Sequence, residues 1–195
     1  MATVTTQSDA DIIRASRHEP ECFAVVFDRY YDAVHGYAAR RLGVSLADDV
    51  AAETFLIAFD RRQSYDVTRA DARPWLYGIA SNLIARHHRA EVRLYRALAR
   101  TGLDQVAEGH ADRVAVRIDA QAARAPLAAA LAEIADRDRD VLLLVAWADL
   151  GLQEAGEALG IPAGTARSRL HRARKQIRAA LGETDPTSLG EDLDR

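Results

Sequence analysis

The sequence predicts an all-α protein of two small helical domains joined by a flexible linker. Three observations carry this. Apolar residues recur at helical spacing through most of the chain, as in Phe23, Phe27, Tyr30, Val34 and Tyr37, or Ala166, Leu170, Ala173, Ile177 and Leu181. No stretch alternates apolar and polar residues as a strand does, and no internal repeat stands out. The periodicity fades over 101–124, around Gly102 and Gly109, leaving domains at 8–100 and 125–182 and a tail at 183–195.

Ser8 is placed to cap a short helix over 9–17, with Ile12 and Ile13 inward. Pro20 suits the first turn of a long second helix that runs to 42, where Gly43 closes it. Ser45 is expected to cap a third helix over 46–62, with Ala51, Phe55, Ala58 and Phe59 at helical spacing. The polar segment 63–73 reads as a loop. Pro74 opens a fourth helix, predicted to run unbroken to 100. Leu76, Ala80, Leu83 and His87 form one of its stripes; Asn82, Arg86, Arg89, Arg93, Arg96 and Arg100 form another. The second domain is expected to begin near Pro126, with Leu127, Leu131 and Ile134 inward. Asp136 then caps a helix that buries Val141, Leu144, Val145 and Ala148. Two last helices, at 152–159 and 163–181, flank a tight turn in which Gly160 takes the left-handed position and Pro162 starts the second helix.

Composition excludes several classes. No apolar run approaches 18 residues, so no membrane span is expected. The N-terminus lacks a basic and an apolar region of signal-peptide type. The single cysteine, Cys22, excludes an intrachain disulfide and fits a reducing, cytoplasmic setting. The net charge of −3 is carried in blocks. Residues 73–100 hold six arginines against Glu91, while 42–60 hold Asp48, Asp49, Glu53 and Asp60 with no cation. The tail at 183–195 carries a net charge of −4, reads as disordered, and is basic-helix-complementary.

The chemistry concentrates in 149–178. From 163 to 182 there are six cations and no carboxylate. Solvated helix faces usually mix signs in i,i+4 pairs, so such a run suits an anionic partner. A short helix, a tight turn and a basic second helix make a helix-turn-helix, whose second helix enters the major groove of DNA. A free-standing helix-turn-helix regulator would share this element but leaves the arginine stripe at 82–100 and the acidic block unexplained. A helical hydrolase or nuclease needs a metal or an acid–base constellation. His87 and His88 are adjacent and point to different helix faces, and no nucleophile–base pair or phosphate-cradling glycine loop is present. Neither a metal nor a cofactor is expected.

Four stretches, in order, resemble the extracytoplasmic-function sigma factors, the small two-domain sigma subunits of bacterial RNA polymerase. FAVVFDRYYDAVHGYAARRLG is similar to the start of the promoter-melting domain, and ADDVAAETFLIAF to its polymerase-binding helix. RPWLYGIASNLIARHHR is similar to the helix that meets the −10 element, and LGLQEAGEALGIPAGTARSRLHRARKQIR to the −35-reading helix-turn-helix. The resemblance covers roughly 8–181. It implies a promoter-specificity subunit without chemistry or cofactor of its own, partnered by the clamp and flap of core polymerase, by promoter DNA and by an anti-sigma protein.

The resemblance also implies residue roles. Thr165, Arg167, Ser168, Arg169, His171, Arg172 and Lys175 fall on the −35 reader. Arginine can read guanine bidentately for ~1–3 kcal/mol of discrimination, or hold phosphates for affinity. Asn82, Arg86 and Arg89 fall on the −10 helix, with Tyr65 in the loop that walls a flipped-base pocket. Asp48, Asp49, Glu53 and Phe55 fall on the core-polymerase docking surface, where Ala51 and Ala52 replace a valine–glutamine pair common in the family. Gly151 replaces the usual serine cap of the 152–159 helix, and Ala155 and Gly156 are smaller than the usual pair.

Overall fold

The computed structural model describes residues 7–101 and 116–181, and every regular element among them is a helix. Most of the expected linker and the whole acidic tail lie outside the described residues.

Helix α1, Asp9–Ser16, starts at Ser8, whose Oγ accepts the Asp11 N–H at 3.2 Å, and buries Ile12 and Ile13. Pro20 opens a 3₁₀ turn, Pro20–Phe23, rather than the long helix itself; α2 follows as Ala24–Leu42. Phe23, Val26, Val34 and Tyr37 line the core, whereas Phe27, at the same helical spacing, is 40% exposed. Gly43 has φ +84° and serves both as the end of α2 and the start of α3, Val44–Arg61. With only Gly43 between the two helices, Ser45 lies inside the first turn of α3 and does not cap it.

The fourth helix is not continuous. Helix α4, Arg73–Arg86, ends at His87 (φ −101°, ψ 18°), and α5, His88–Thr101, restarts at once. The break turns Glu91 inward, where it is 2% exposed. Periodicity across 74–100 cannot register such a break, because one irregular residue barely disturbs the spacing on either side. Helix α6, Val116–Glu133, runs through Pro126 rather than starting at it. The cost of an internal proline is one lost backbone hydrogen bond and a local clash. Helix α7, Asp136–Trp147, is preceded by Ala135, and Asp136 pairs with Arg139 at 2.8 Å instead of capping. Helices α8, Leu152–Ala158, and α9, Ala163–Leu181, form the expected helix-turn-helix, with Gly160 at φ +63°. In place of a serine cap, Glu154 accepts the Gly151 N–H at 2.7 Å. Gly156 is required by close packing, since a Cβ there would stand 2.8 Å from the Ile161 carbonyl oxygen.

The halves α1–α5 and α6–α9 pack together, α5 along α6 and α4 on α8, over one continuous apolar core. The approach is close at Gly78 of α4, where a Cβ would lie 2.5 Å from the Ala158 carbonyl oxygen of α8. A buried charge cluster crosses the same junction. Arg41 donates to Glu91 at 2.6 Å and to Asp140 at 2.6 Å, and Arg139 donates to Glu91 at 3.0 Å. Arg139 also donates to the Leu131 and Ile134 carbonyls at the end of α6.

Candidate nucleic-acid interface

Helix α9 presents the predicted reading face because Ala166, Leu170, Ala173 and Ile177 are buried on the opposite side. Arg167, Ser168, His171, Arg172 and Lys175 are exposed; Thr165 and Arg169 are half-buried at its edge. Ser168 donates its hydroxyl to the Gly164 carbonyl at 3.0 Å. Arg172 is forked onto Asp138 of α7 by two bonds of 2.8 Å, and that carboxylate holds its guanidinium above the usual range. Arg167 and Lys175 are exposed on the same face.

A second face lies on α4 and α5. Asn82, Arg86 and Arg89 are exposed there, with Arg93, Arg96 and Arg100 exposed beyond the break. Arg86 reaches Glu53 of α3 at 3.2 Å, and Arg96 reaches Glu133 at 3.4 Å. Both are surface pairs, worth about 0–1 kcal/mol, so either arginine is available to a stronger anion.

Between α3 and α4 runs the loop that carries Tyr65. Its aromatic ring is not displayed. Tyr65 is 5% exposed, packs on Trp75 with ring centroids 4.8 Å apart, and donates its hydroxyl to the carbonyls of Arg69 (2.7 Å) and Asp71 (3.2 Å). Burial, then the charges of Asp9 and Asp71, push its phenol up to about 12. Here Tyr65 is the pin that shapes the loop. The loop is further tied to α1: Arg17 donates to the Tyr65 carbonyl at 2.8 Å, Arg62 donates to the Ser16 carbonyl at 3.0 Å, and buried Asp9 accepts the Ala72 N–H at 2.8 Å. Asp9 also accepts from Arg29 and from the Tyr30 hydroxyl.

The acidic block forms a third surface. Asp48, Asp49 and Glu53 are exposed on α3, and Asp48 meets His35 of α2 at 2.9 Å. Phe55 is buried at 4% exposure against Phe27 (5.1 Å) and Tyr31 (6.0 Å), which removes it from the contact surface. The apolar groups actually displayed there are Phe27 and Leu56, the latter 61% exposed. The helical spacing placed Phe27 and Phe55 correctly on their helices, but which of two aromatics lies outermost depends on the α2–α3 crossing.

Residues 26–100 match the family model described as Sigma-70 region 2, and residues 124–177 match Sigma-70 region 4. The chain is 31% identical over 177 residues to the ECF RNA polymerase sigma factor SigW of Bacillus subtilis, covering 87% of this chain and 94% of that one. The chain belongs to the ECF RNA polymerase sigma factors.

This sigma factor is also 28% identical over 180 residues to SigL of Mycobacterium tuberculosis, covering 91% of this chain and 99% of that one. Its fold is similar to CnrH in a complex with the cytosolic domain of CnrY, at TM-score 0.60 and 23% identity over 91% of this chain and 99% of that one. It is likewise similar to RpoE of Bartonella quintana solved with the anti-sigma factor NepR, at TM-score 0.59 and 20% identity over 84% and 98% of the two chains. The family is non-catalytic, and the α3 acidic surface, the α4–α5 stripe and the helix-turn-helix fall inside the matched regions. Among the described residues no helix is long and apolar enough to cross a membrane.

Sequence reasoning missed the residues that join the halves: Arg41, Glu91, Arg139 and Asp140. One signal was present. Glu91 is the lone carboxylate among six arginines in 73–100, and a solitary acid in such a run needs a reason to be there.

Proposed function

We propose that this sigma factor docks on core RNA polymerase through the α3 acids Asp48, Asp49 and Glu53 together with the exposed Phe27 and Leu56. It reads the −10 element with Asn82, Arg86 and Arg89. It reads the −35 element with Thr165, Arg167, Ser168, Arg169, His171, Arg172 and Lys175. Its place of action is the cytoplasm, where the polymerase works. The observation that carries this reading is spatial separation of charge: no cation stands among the acids at 44–60 of α3, α9 carries no acid, and Glu91, the one acid of α4–α5, is buried away from the arginine stripe. Complementary charge steers partners and fixes orientation, so the acidic face suits a basic polymerase helix and the basic faces suit DNA. An anti-sigma protein is a further partner, supported by the CnrH and RpoE folds, each solved with such a partner or its counterpart.

In vitro transcription tests the reading: core polymerase with this chain should initiate at specific sites on genomic fragments, and core alone should not. Asp49→Arg should weaken capture of core polymerase several-fold. Initiation no better than core alone would reject the reading.

A further inference from the structure

The acidic docking face contains one side chain that neither the helical spacing nor the family roles single out. His35 of α2 places Nε2 2.9 Å from Oδ1 of Asp48 on α3. Among the described residues this is the one side-chain hydrogen bond between those two helices. We infer that His35 positions Asp48 for core polymerase and that its proton sets how strongly the face docks: neutral His35 favours docking, protonated His35 opposes it. The inference rests on the docking reading above.

Three features support it. First, the imidazole is held in place. Phe27, Tyr31 and His35 recur every four residues on α2 and form a ladder, with ring centroids 4.8 Å and then 6.0 Å apart and interplanar angles of 30° and 21°. Buried Phe55 of α3 backs the first two rings at 5.1 Å and 6.0 Å. The ladder fixes the His35 ring against α3, and Asp48 is tied to that ring although its side chain is 70% exposed. A free aspartate would lose rotamer freedom when a partner ordered it, so a tie already made lowers the cost of docking.

Second, hydrogen-bond chemistry places the proton. A carboxylate only accepts, so the bond is donated by Nε2–H of His35, and the neutral ring then has no proton on Nδ1. Asp48 keeps its negative charge and its other oxygen for a basic partner. A further proton enters at Nδ1 and turns the same contact into an ion pair, which cancels much of that charge. Histidine is the side chain whose charge ordinarily changes between about pH 5 and 8. The ring is 28% exposed, so solvent protons reach it.

Third, the surroundings of His35 hold no other cation. Asp28 and Asp32, seven and three residues earlier, share its side of α2, and Asp48 and Asp49 face it from α3. Tyr31 is the titratable ring beside it. Residues 44–60 carry no cation, and Glu53, farther along α3, is met by Arg86 at 3.2 Å. Protonated His35 thus puts a positive charge into an otherwise acidic patch, and attraction to a basic partner falls. Capture of core polymerase should strengthen as pH rises through the histidine range and level off once His35 is neutral.

The test titrates the labelled full chain with core polymerase at constant ionic strength, in steps from about pH 8 to about pH 6. Capture by the parent should weaken about three- to tenfold across that range. His35→Gln keeps an N–H donor for Asp48 and cannot gain a proton. It should match the parent at the alkaline end and lose little toward the acid end. His35→Arg carries the charge at every pH and should bind throughout as the parent does at the acid end. His35→Ala removes the donor and should bind more weakly than His35→Gln at the alkaline end. Thermal unfolding of each variant confirms that it is folded. A parent that loses no affinity toward the acid end, or a His35→Gln chain that loses as much as the parent, would overturn the inference. Equal capture by His35→Ala and His35→Gln at the alkaline end would overturn the positioning role. If the parent captures core and directs initiation while these profiles fail, the proton-set docking falls and the sigma-factor reading stands. Absence of capture at every pH would bring down the docking reading and the inference with it.

Discussion

Asp9 and Glu91 are buried to nearly the same degree, at 3% and 2% exposure, yet they hold different things together. Asp9 is satisfied within the first half: by Arg29, the Tyr30 hydroxyl and the Ala72 backbone, which pin α1 to the Tyr65 loop. Glu91 is satisfied across the junction, by Arg41 from its own half and Arg139 from the other. A carboxylate that binds its own domain's backbone can be released only by unfolding. A charge cluster shared by two domains can be released by parting them, and water then rehydrates each member. The junction is also imperfect. Burial raises the Asp140 carboxyl despite Arg41 beside it, and the Nε of fully buried Arg139 has no hydrogen-bond partner. A buried charge network repays its desolvation only with complete pairing, so this one suits a contact made to open.

Glu91→Gln should show the largest effect. Removing one partner from a buried charge cluster costs about 3–5 kcal/mol. Here the loss should appear as separation of the halves, read as a larger radius of gyration in small-angle scattering. Asp9→Asn should cost about 1–3 kcal/mol through unsatisfied buried groups, read as a lower unfolding temperature with the radius unchanged. If both variants unfold in the same way at the same dimensions, the distinction between the two carboxylates is wrong.

Two glycines sharpen the same contrast. Gly78→Ala pushes a Cβ into the Ala158 carbonyl across the junction, and Gly156→Ala pushes one into the Ile161 carbonyl within the helix-turn-helix. Overpacking of this kind costs about 1–3 kcal/mol. Gly78→Ala should part the halves while each stays folded. Gly156→Ala should lower the melting temperature of the second half and its duplex binding. Scattering and circular dichroism together separate the two outcomes.

The smallest effect concerns Tyr65. Its phenol is raised from the ordinary value to about 12, so the neutral form is favoured in the folded chain. The stability this confers is present below the unfolded-state value near 10 and is lost as pH rises through about 12. Tyr65→Phe should therefore flatten the alkaline fall of stability between those limits, measured by urea titration at stepped pH. An unchanged slope would mean that Tyr65 ionises elsewhere or not at all in this window.

Much of this molecule was legible in its sequence because helical periodicity and capping are local. The positions of α2, α3, α8 and α9, the left-handed Gly160, and the exposed Asn82, Arg86, Arg89, Arg167 and His171 all follow from spacing. What was not legible depends on contacts between distant residues. The break at His87, the inward turn of Glu91 and the continuation of α6 through Pro126 are set by how the halves pack. The burial of Tyr65 and Phe55 follows from the loop's ties to α1 and from the α2–α3 crossing. None of these leaves a periodic trace.

The distance between the halves is the most direct measurement. In a Cys22→Ser chain, donor and acceptor dyes at Ala15→Cys on α1 and Ala179→Cys on α9 sit on exposed positions of opposite halves. Energy transfer should be efficient in the free chain. It should fall sharply when core polymerase and a promoter fragment are both added, as the two halves part. Transfer that stays high in the transcriptionally active complex would contradict a charged junction made to open.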